Sequence, residues 1–386
     1  MVESRDARRF HLSSLVILVL ALGVSLYPLV RLQLRAASLL LRIQDPQTRN
    51  VLVRISSYSV NELSTTIAGP GEPVRAKLYV PRDLANPPAM VVLHGVHHLG
   101  IEEPRLVNFS RALAATGIEV LTPELQSLAD YRVDPADIPV IGAAARALHQ
   151  RTGAKPGILG LSFSGGLALL AASTPSNAND IGFVVAIGAH DDLERVSRYL
   201  ATGRIPQPDG STQLLPAHEY GMLVLVYAHT EDFFVPADAD TARNALRLQL
   251  WEDVDAARAR AAGLSPAGRA TMQLLLDHKD AELAPALLAH LPQHAAEMAR
   301  VSPHGHLASL HVPVLLLHGS GDNVIPSAEA LWLAQDIPPQ YLRKVLITPL
   351  ITHVEVGGKP SWREKAELVE FMAAMLKESD KLRGTH

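Results

Sequence analysis

Residues 158–166 read Ile158-Leu159-Gly160-Leu161-Ser162-Phe163-Ser164-Gly165-Gly166. An apolar run, Gly157–Leu161, stops at Ser162, and a small-residue segment, Gly165–Ala172, follows with helical character. A serine at such a strand-to-helix turn is held at strained backbone dihedrals, with its hydroxyl lifted clear of the sheet. Small residues two before it and two after it let strand and helix approach closely. The helix N-terminus behind it offers backbone N–H groups and a favourable dipole to an oxyanion. Position 164 carries Ser where Gly would fit most easily. The shifted register Ser162-x-Ser164-x-Gly166 keeps Ser164 as a rival nucleophile, although Gly160 is correctly spaced for Ser162.

Outward from this turn, strand-like and helix-like stretches alternate. Val74–Val80 alternates polar and apolar residues, as a half-buried strand does. Met90–Leu93, Ile118–Leu121, Phe183–Ile187, Val312–Leu317 and Arg343–Thr348 are short apolar or β-branched runs. Asn108–Thr116, Ile138–Arg151 and Ser361–Leu376 read as helices, the first stopped by Gly117. Short, wholly apolar strands separated by helices predict an α/β fold with a mostly parallel sheet covered on both faces. Residues 191–311 interrupt this alternation. Thr241–Leu250, Val254–Ala262, Arg269–Leu276 and Ala281–Leu291 have helical spacing, so the segment reads as a helical cap inserted into the α/β domain. Tyr220–Val226 is apolar enough to be a strand instead.

Two positions complete a constellation with Ser162. The run Val312–Leu317 leads into Gly319-Ser320-Gly321-Asp322, which places a carboxylate on a loop at a strand's C-terminal end. His353 follows the strand ending near Pro349 and precedes the last helix. In the order Ser162, Asp322, His353, the imidazole would take the serine proton and the carboxylate would hold the imidazole tautomer. Each follows a strand, at the sheet edge where open α/β folds place their sites. Asp191 and Asp192 are rivals for the acid, and His190, His229, His304 and His306 for the base. His97-His98 and His304-x-His306 have neither helix-spaced HExxH geometry nor a cysteine partner, so they read as solvated or pocket-lining residues.

On these motifs the chain resembles the α/β-hydrolase superfamily from about Val74 to Leu376. The motifs are His94-Gly95, the Gly160–Gly165 elbow, the Gly319–Asp322 loop and the lone His353. The resemblance implies an oxyanion hole built from the backbone N–H groups of Val96 and Phe163. Two departures are Ser164 in place of Gly, and Val96-His97-His98-Leu99 in place of the multiple-Gly run of many lipases and esterases.

The chain has 386 residues, 35 basic and 39 acidic, for a net charge of −4. That balance argues against a general nucleic-acid-binding face. With 48% hydrophobic and 19% charged residues it can bury a large core. It has no cysteine, which removes thiolate metal sites, cysteine nucleophiles and disulfides. No nucleotide, flavin or metal signature is visible, so no cofactor and no metal are expected. Leu12–Val30 is an uncharged, mostly apolar run of 19 residues, near the length of a membrane span and without a clean cleavage site after it. It reads as an uncleaved single-pass transmembrane helix, and Arg31–Ile43 as its extension or as a segment lying on the lipid surface. Three arginines on either side leave its orientation undecided. The expected organisation is an anchor at 1–43, core at 44–190, cap at 191–311 and core again at 312–386. The expected activity is that of a membrane-anchored serine hydrolase of small or lipid-like carboxylic esters. An amidase, peptidase or thioesterase would use the same residues, and a catalytically silent binding protein could share the fold.

Overall fold

In a computed structural model, residues 27–351 and 361–383 are described. Among them, eight strands form one sheet. They are β1 (Val60–Ile67), β2 (Val74–Pro81), β3 (Ala89–Leu93), β4 (Glu119–Pro123), β5 (Gly157–Leu161), β6 (Phe183–Ile187), β9 (Val314–Gly319) and β10 (Leu342–Thr348). Two short strands, β7 (Arg204–Pro206) and β8 (Thr212–Leu214), pair by themselves. The order across the large sheet is β1-β2-β4-β3-β5-β6-β9-β10. β2 runs antiparallel to both β1 and β4, and every pair from β4 to β10 is parallel. The chain moves from β3 outward to β4, then returns to the other side of β3 with β5. This reversal opens a crevice at the C-terminal ends of β3 and β5, where doubly covered parallel sheets hold their sites.

The sheet is buried on both faces because its central strands are apolar at nearly every position, the buried His318 of β9 excepted. Along β3, Val91 and Leu93 face one core, while Met90 and Val92 face the other. β5, β6 and β9 divide in the same way, with Ile158, Val184 and Leu316 on the first face and Leu159, Val185 and Leu317 on the second. The helices Asp137–Thr152 and Phe163–Ser173 cover the first face, and Pro104–Ala115 and Trp362–Lys381 the second. β1 is the element that the apolar pattern misses. Six of its eight residues are exposed, so it carries no alternation to read, and it is held by its ladder to β2.

Between β6 and β9 the chain leaves the sheet and returns to the adjacent position. The excursion is largely helical. Tyr220–Val226 lies inside the helix Glu219–Ala228, and the alternative of a strand there is wrong because this helix is apolar nearly all round and buried between neighbours. The β7–β8 hairpin is the non-helical part that the expected helical cap lacks.

The N-terminal residues 1–26, with most of the expected transmembrane run, lie outside the described residues. Among the described residues, no helix is long and apolar enough to cross a membrane. A helix does run from 27 to 44, so Arg31–Ile43 continues the helix that begins at 27, and it packs on the domain. Ala36 and Leu39 are fully buried in the second core, with Leu32, Leu40 and Ile43 packed against it. Arg35 ties the helix down, since Nη1 pairs with Asp380 at 2.5 Å and Nε donates to the Thr116 carbonyl at 3.1 Å. Arg35→Ala is expected to lower unfolding free energy by about 1–3 kcal/mol, by leaving the Thr116 carbonyl without its donor and Asp380 with only Arg383 at 3.5 Å. Urea denaturation beside Asp380→Ala and the double variant measures it, and additive losses would show that the pair is not coupled.

Candidate active site

Ser162 closes β5 at φ 58° and ψ −134°, a conformation an L-residue occupies only when its surroundings enforce it. The enforcement is local. Its N–H donates to the Ile187 carbonyl at 2.8 Å, and its carbonyl accepts from Gly165 N–H at 2.9 Å. Strand and helix touch backbone to backbone here, because a Cβ on Gly160 would stand 2.5 Å from Gly165 Cα and from the Ser164 carbonyl oxygen. Ser164 is fully buried. Its hydroxyl donates to the Leu161 carbonyl at 2.8 Å and accepts from Leu161 N–H at 2.9 Å. The departure from Gly therefore has a purpose in the turn, where the hydroxyl stitches the first helical residues to the strand end.

Ser162 opens into a cavity of ≈ 540 Å³ that also exposes His94, Gly95, Val96, Phe163 and Asp322. Gly95 lies directly against the serine, with a Cβ there 3.5 Å from Ser162 Cβ. Among the described residues, neither Val96 N–H nor Phe163 N–H has a hydrogen-bond partner. Two side chains hold the Val96 loop. Buried His94 accepts from Leu125 N–H at Nε2 (2.9 Å), so Nδ1 carries the proton and donates to the Gly95 carbonyl at 2.8 Å. Burial pushes this imidazole down to about 4. From the insertion, the Tyr220 hydroxyl donates to the Val96 carbonyl at 3.2 Å.

Asp322 sits in the turn after β9, nearly buried. Its Oδ1 accepts from the Val324 and Ile325 N–H groups, both at 3.0 Å, and Oδ2 is 3.5 Å from His318 Nε2. His353 lies outside the described residues. The chain leaves them at Ile351, which lines the Ser162 cavity.

The rivals stand elsewhere. Asp191 is buried in an ion pair with Arg195 at 2.8 Å, and Asp192 caps the helix Leu193–Thr202. His190 is buried against the Phe163 ring and hydrogen-bonds the Val301 carbonyl. His304 pairs with Asp336, His306 reaches the Ser302 carbonyl, and His229 stacks on His294. His97 reaches the cavity wall, while His98 stacks beside it and bonds the Tyr131 hydroxyl at 3.1 Å. Among the wall residues that escape the sequence reading are His218 and Gln249. Both come from the insertion, and nothing in their local sequence ties them to a loop more than a hundred residues earlier. His218 N–H donates to Asn323 O, beside the acid, and its Nδ1 accepts from Tyr220 N–H at 3.2 Å. Held this way, a neutral His218 carries its proton on Nε2 and offers a donor to a ligand, not a base.

A second, smaller chamber of ≈ 140 Å³ adjoins the cavity, sharing Tyr131, Phe163, Tyr220 and Val324 with it. Apolar side chains of the insertion, among them Leu200, Leu225 and Met298, form its depth. Among the described residues, two groups bring three possible metal ligands together, His229–Asp232–His294 and Asp191–His304–Asp336. Neither group shares a residue with the Ser162 cavity wall.

The parallel sheet, the serine elbow and the inserted helices define the α/β-hydrolase fold. Among solved structures the chain is similar to Pyrococcus horikoshii acylaminoacyl peptidase, at 12% identity and a TM-score of 0.50, covering 88% of this chain and 45% of that one. It also matches a Pyrobaculum calidifontis esterase at 19% identity and a TM-score of 0.47, covering 92% of this chain and 93% of that one. A Mycobacterium tuberculosis puromycin-hydrolyzing peptidase aligns at 17% identity and a TM-score of 0.47, over 88% of this chain and 41% of that one. The chain thus spans under half the length of both peptidases, and the likeness is one of fold. No family model and no curated protein sequence matches it.

Two measurements probe the site's framework. Ser164→Ala is expected to cost about 1–2 kcal/mol in urea unfolding, because it strips the Leu161 backbone of its partner. His94 is neutral when folded, yet binds a proton near pH 6.5 in an unfolded chain. Its contribution to stability is therefore full above pH 6.5 and falls as the pH drops toward 4. The urea midpoint should decline over that window in the wild type and decline less in His94→Gln.

Proposed function

We propose that the protein is a serine hydrolase acting on carboxylic esters, with Ser162 as nucleophile, His353 as general base and Asp322 as the group that orients it. The carrying observation is Ser162 itself, held at positive φ on the cavity wall, with the N–H groups of Val96 and Phe163 nearby and unpartnered among the described residues. In the reaction Ser162 Oγ attacks the acyl carbon while His353 takes its proton. The carbonyl oxygen, now negative, is received by Val96 and Phe163 N–H. The imidazolium returns the proton to the leaving alcohol, and a water activated in the same way releases the acid. Asp322 supports the imidazolium, its own orientation fixed by two backbone N–H bonds.

The adjoining chamber supports an assignment for the acyl group. Its ≈ 140 Å³ is close to the roughly 150 Å³ of an apolar protein cavity that holds benzene. A chain or ring of about six carbons fills such a space, so short and medium acyl groups are the proposed substrates. We also propose that Leu12–Val30 tethers the domain to a membrane. The exposed Tyr27, Leu29 and Val30 at the start of the helix 27–44 continue that apolar run out of the folded body.

Three outcomes are expected. A fluorophosphonate probe labels the wild type and Ser164→Ala but not Ser162→Ala, and p-nitrophenyl ester turnover follows the label. Labelling at Ser164, or none in the wild type, would overturn the assignment. Ala228→Phe, which narrows the chamber, should raise KM for hexanoate esters while sparing acetate esters; an equal effect on both would remove the chamber from substrate binding. Thioester and amide analogues of one acyl group then rank the bond class. Finally, the full chain should sediment with membranes after carbonate washing. Val16→Lys with Leu20→Lys should release it, since each charge costs roughly 3 kcal/mol in a bilayer.

A further inference from the structure

The rim of the apolar chamber holds a cluster that this chemistry does not use. His229 follows the helix Glu219–Ala228, Asp232 lies in the next turn, and His294 faces them from the helix Ala284–Ala299. We propose that His229, Asp232 and His294 bind one zinc-like divalent cation, which clips these two parts of the insertion together beside the chamber.

Their ligand atoms lie within 4.8 Å of one another. A tetrahedral site with metal–ligand bonds near 2.0–2.1 Å needs them about 3.3 Å apart, within reach of small side-chain rotations. The imidazole rings stack at 3.8 Å between centroids and 27° between planes, so one ring turns about its Cβ–Cγ bond for both in-plane nitrogen lone pairs to meet one ion. His294 Nε2 lies 2.6 Å from Asp232 Oδ2. The cation takes the place of the proton between them, and that proton leaves to solvent.

The surroundings match those of a metal site. Bound histidines and carboxylates are usually held from behind by outer partners. Here Glu297 Oε2 stands 3.7 Å from His294 Nδ1, and Gln293 Nε2 donates to Asp232 Oδ1 at 2.7 Å. His290 Nδ1 approaches the same oxygen at 3.8 Å. Among the described residues no Arg or Lys neutralises Asp232; the nearby Arg243 pairs with Glu231 and Asp240. The other three-residue cluster lacks this vacancy of charge, because Arg195 already occupies Asp191. Two imidazoles and one carboxylate suit zinc, cobalt or nickel better than calcium or magnesium. His229 and Glu297 line the chamber, so the clip would set how firmly its far wall is held.

The test uses the full chain in detergent, dialysed against chelator, then titrated with Zn²⁺ by calorimetry and with Co²⁺ by visible absorption. One Zn²⁺ per chain, a rise in Tm and cobalt bands of a four-coordinate ion are expected. His294→Ala and Asp232→Asn should weaken binding by more than about 100-fold, and Gln293→Ala, on the exposed side, by about 10-fold. His304→Ala should bind as the wild type does. No stoichiometric uptake by the wild type would overturn the proposal, as would uptake unchanged in His294→Ala. If His294→Ala fails to fold by circular dichroism, Gln293→Ala decides: unaltered affinity there counts against the site.

Discussion

Everything at this site depends on one backbone contact. The end of β5 and the start of the helix Phe163–Ser173 meet with no side chain between them, at Gly160 and Gly165. That approach leaves Ser162 no relaxed conformation, and positive φ follows. The same turn starts a fully buried helix directly after the serine, with its first N–H free of an intrahelical acceptor. A larger residue at 160 would push the helix away, and the positive-φ turn at Ser162 would be lost with it. The strain is local and is carried by the apolar sheet around it, where β3, β5, β6 and β9 bury every inward position.

How much of this the sequence discloses depends on whether neighbours in space are neighbours in the chain. The central strands are readable because burial on both faces makes them apolar at nearly every position. The serine turn is readable because its constraint acts over six residues. β1 is invisible to the same reading, since an exposed edge strand is held by backbone hydrogen bonds that leave no hydrophobic trace. Tyr220–Val226 is ambiguous for the opposite reason. A short run apolar on all sides has no period to distinguish helix from strand, and only the surrounding helices decide it. Asp322 follows from its place after a strand, but its two backbone hydrogen bonds do not. His218 and Gln249 reach the cavity by the way the insertion folds over the sheet, which no local pattern records.

The departure at Ser164 illustrates how a mismatch with a motif can bring its own local support. A glycine there would avoid crowding. Serine is accommodated because its hydroxyl is turned back onto Leu161 and is partnered in both directions. Similarly, Arg31–Ile43 looks like a continuation of an apolar anchor until Arg35 is placed. Its guanidinium makes sense at the domain surface, where a carbonyl and a carboxylate await it, and little sense in lipid. The fold therefore begins earlier than its first strand.

The hydroxyl of Tyr220 links two parts of the molecule that a simpler enclosure would keep independent. It belongs to the insertion, yet it holds the carbonyl of Val96, which lines the same cavity as the serine. Any motion that lifts the insertion far enough to admit a bulky molecule also frees that loop. Access to the cavity and the position of the Val96 loop are then linked through a single hydrogen bond between residues 124 positions apart in the chain.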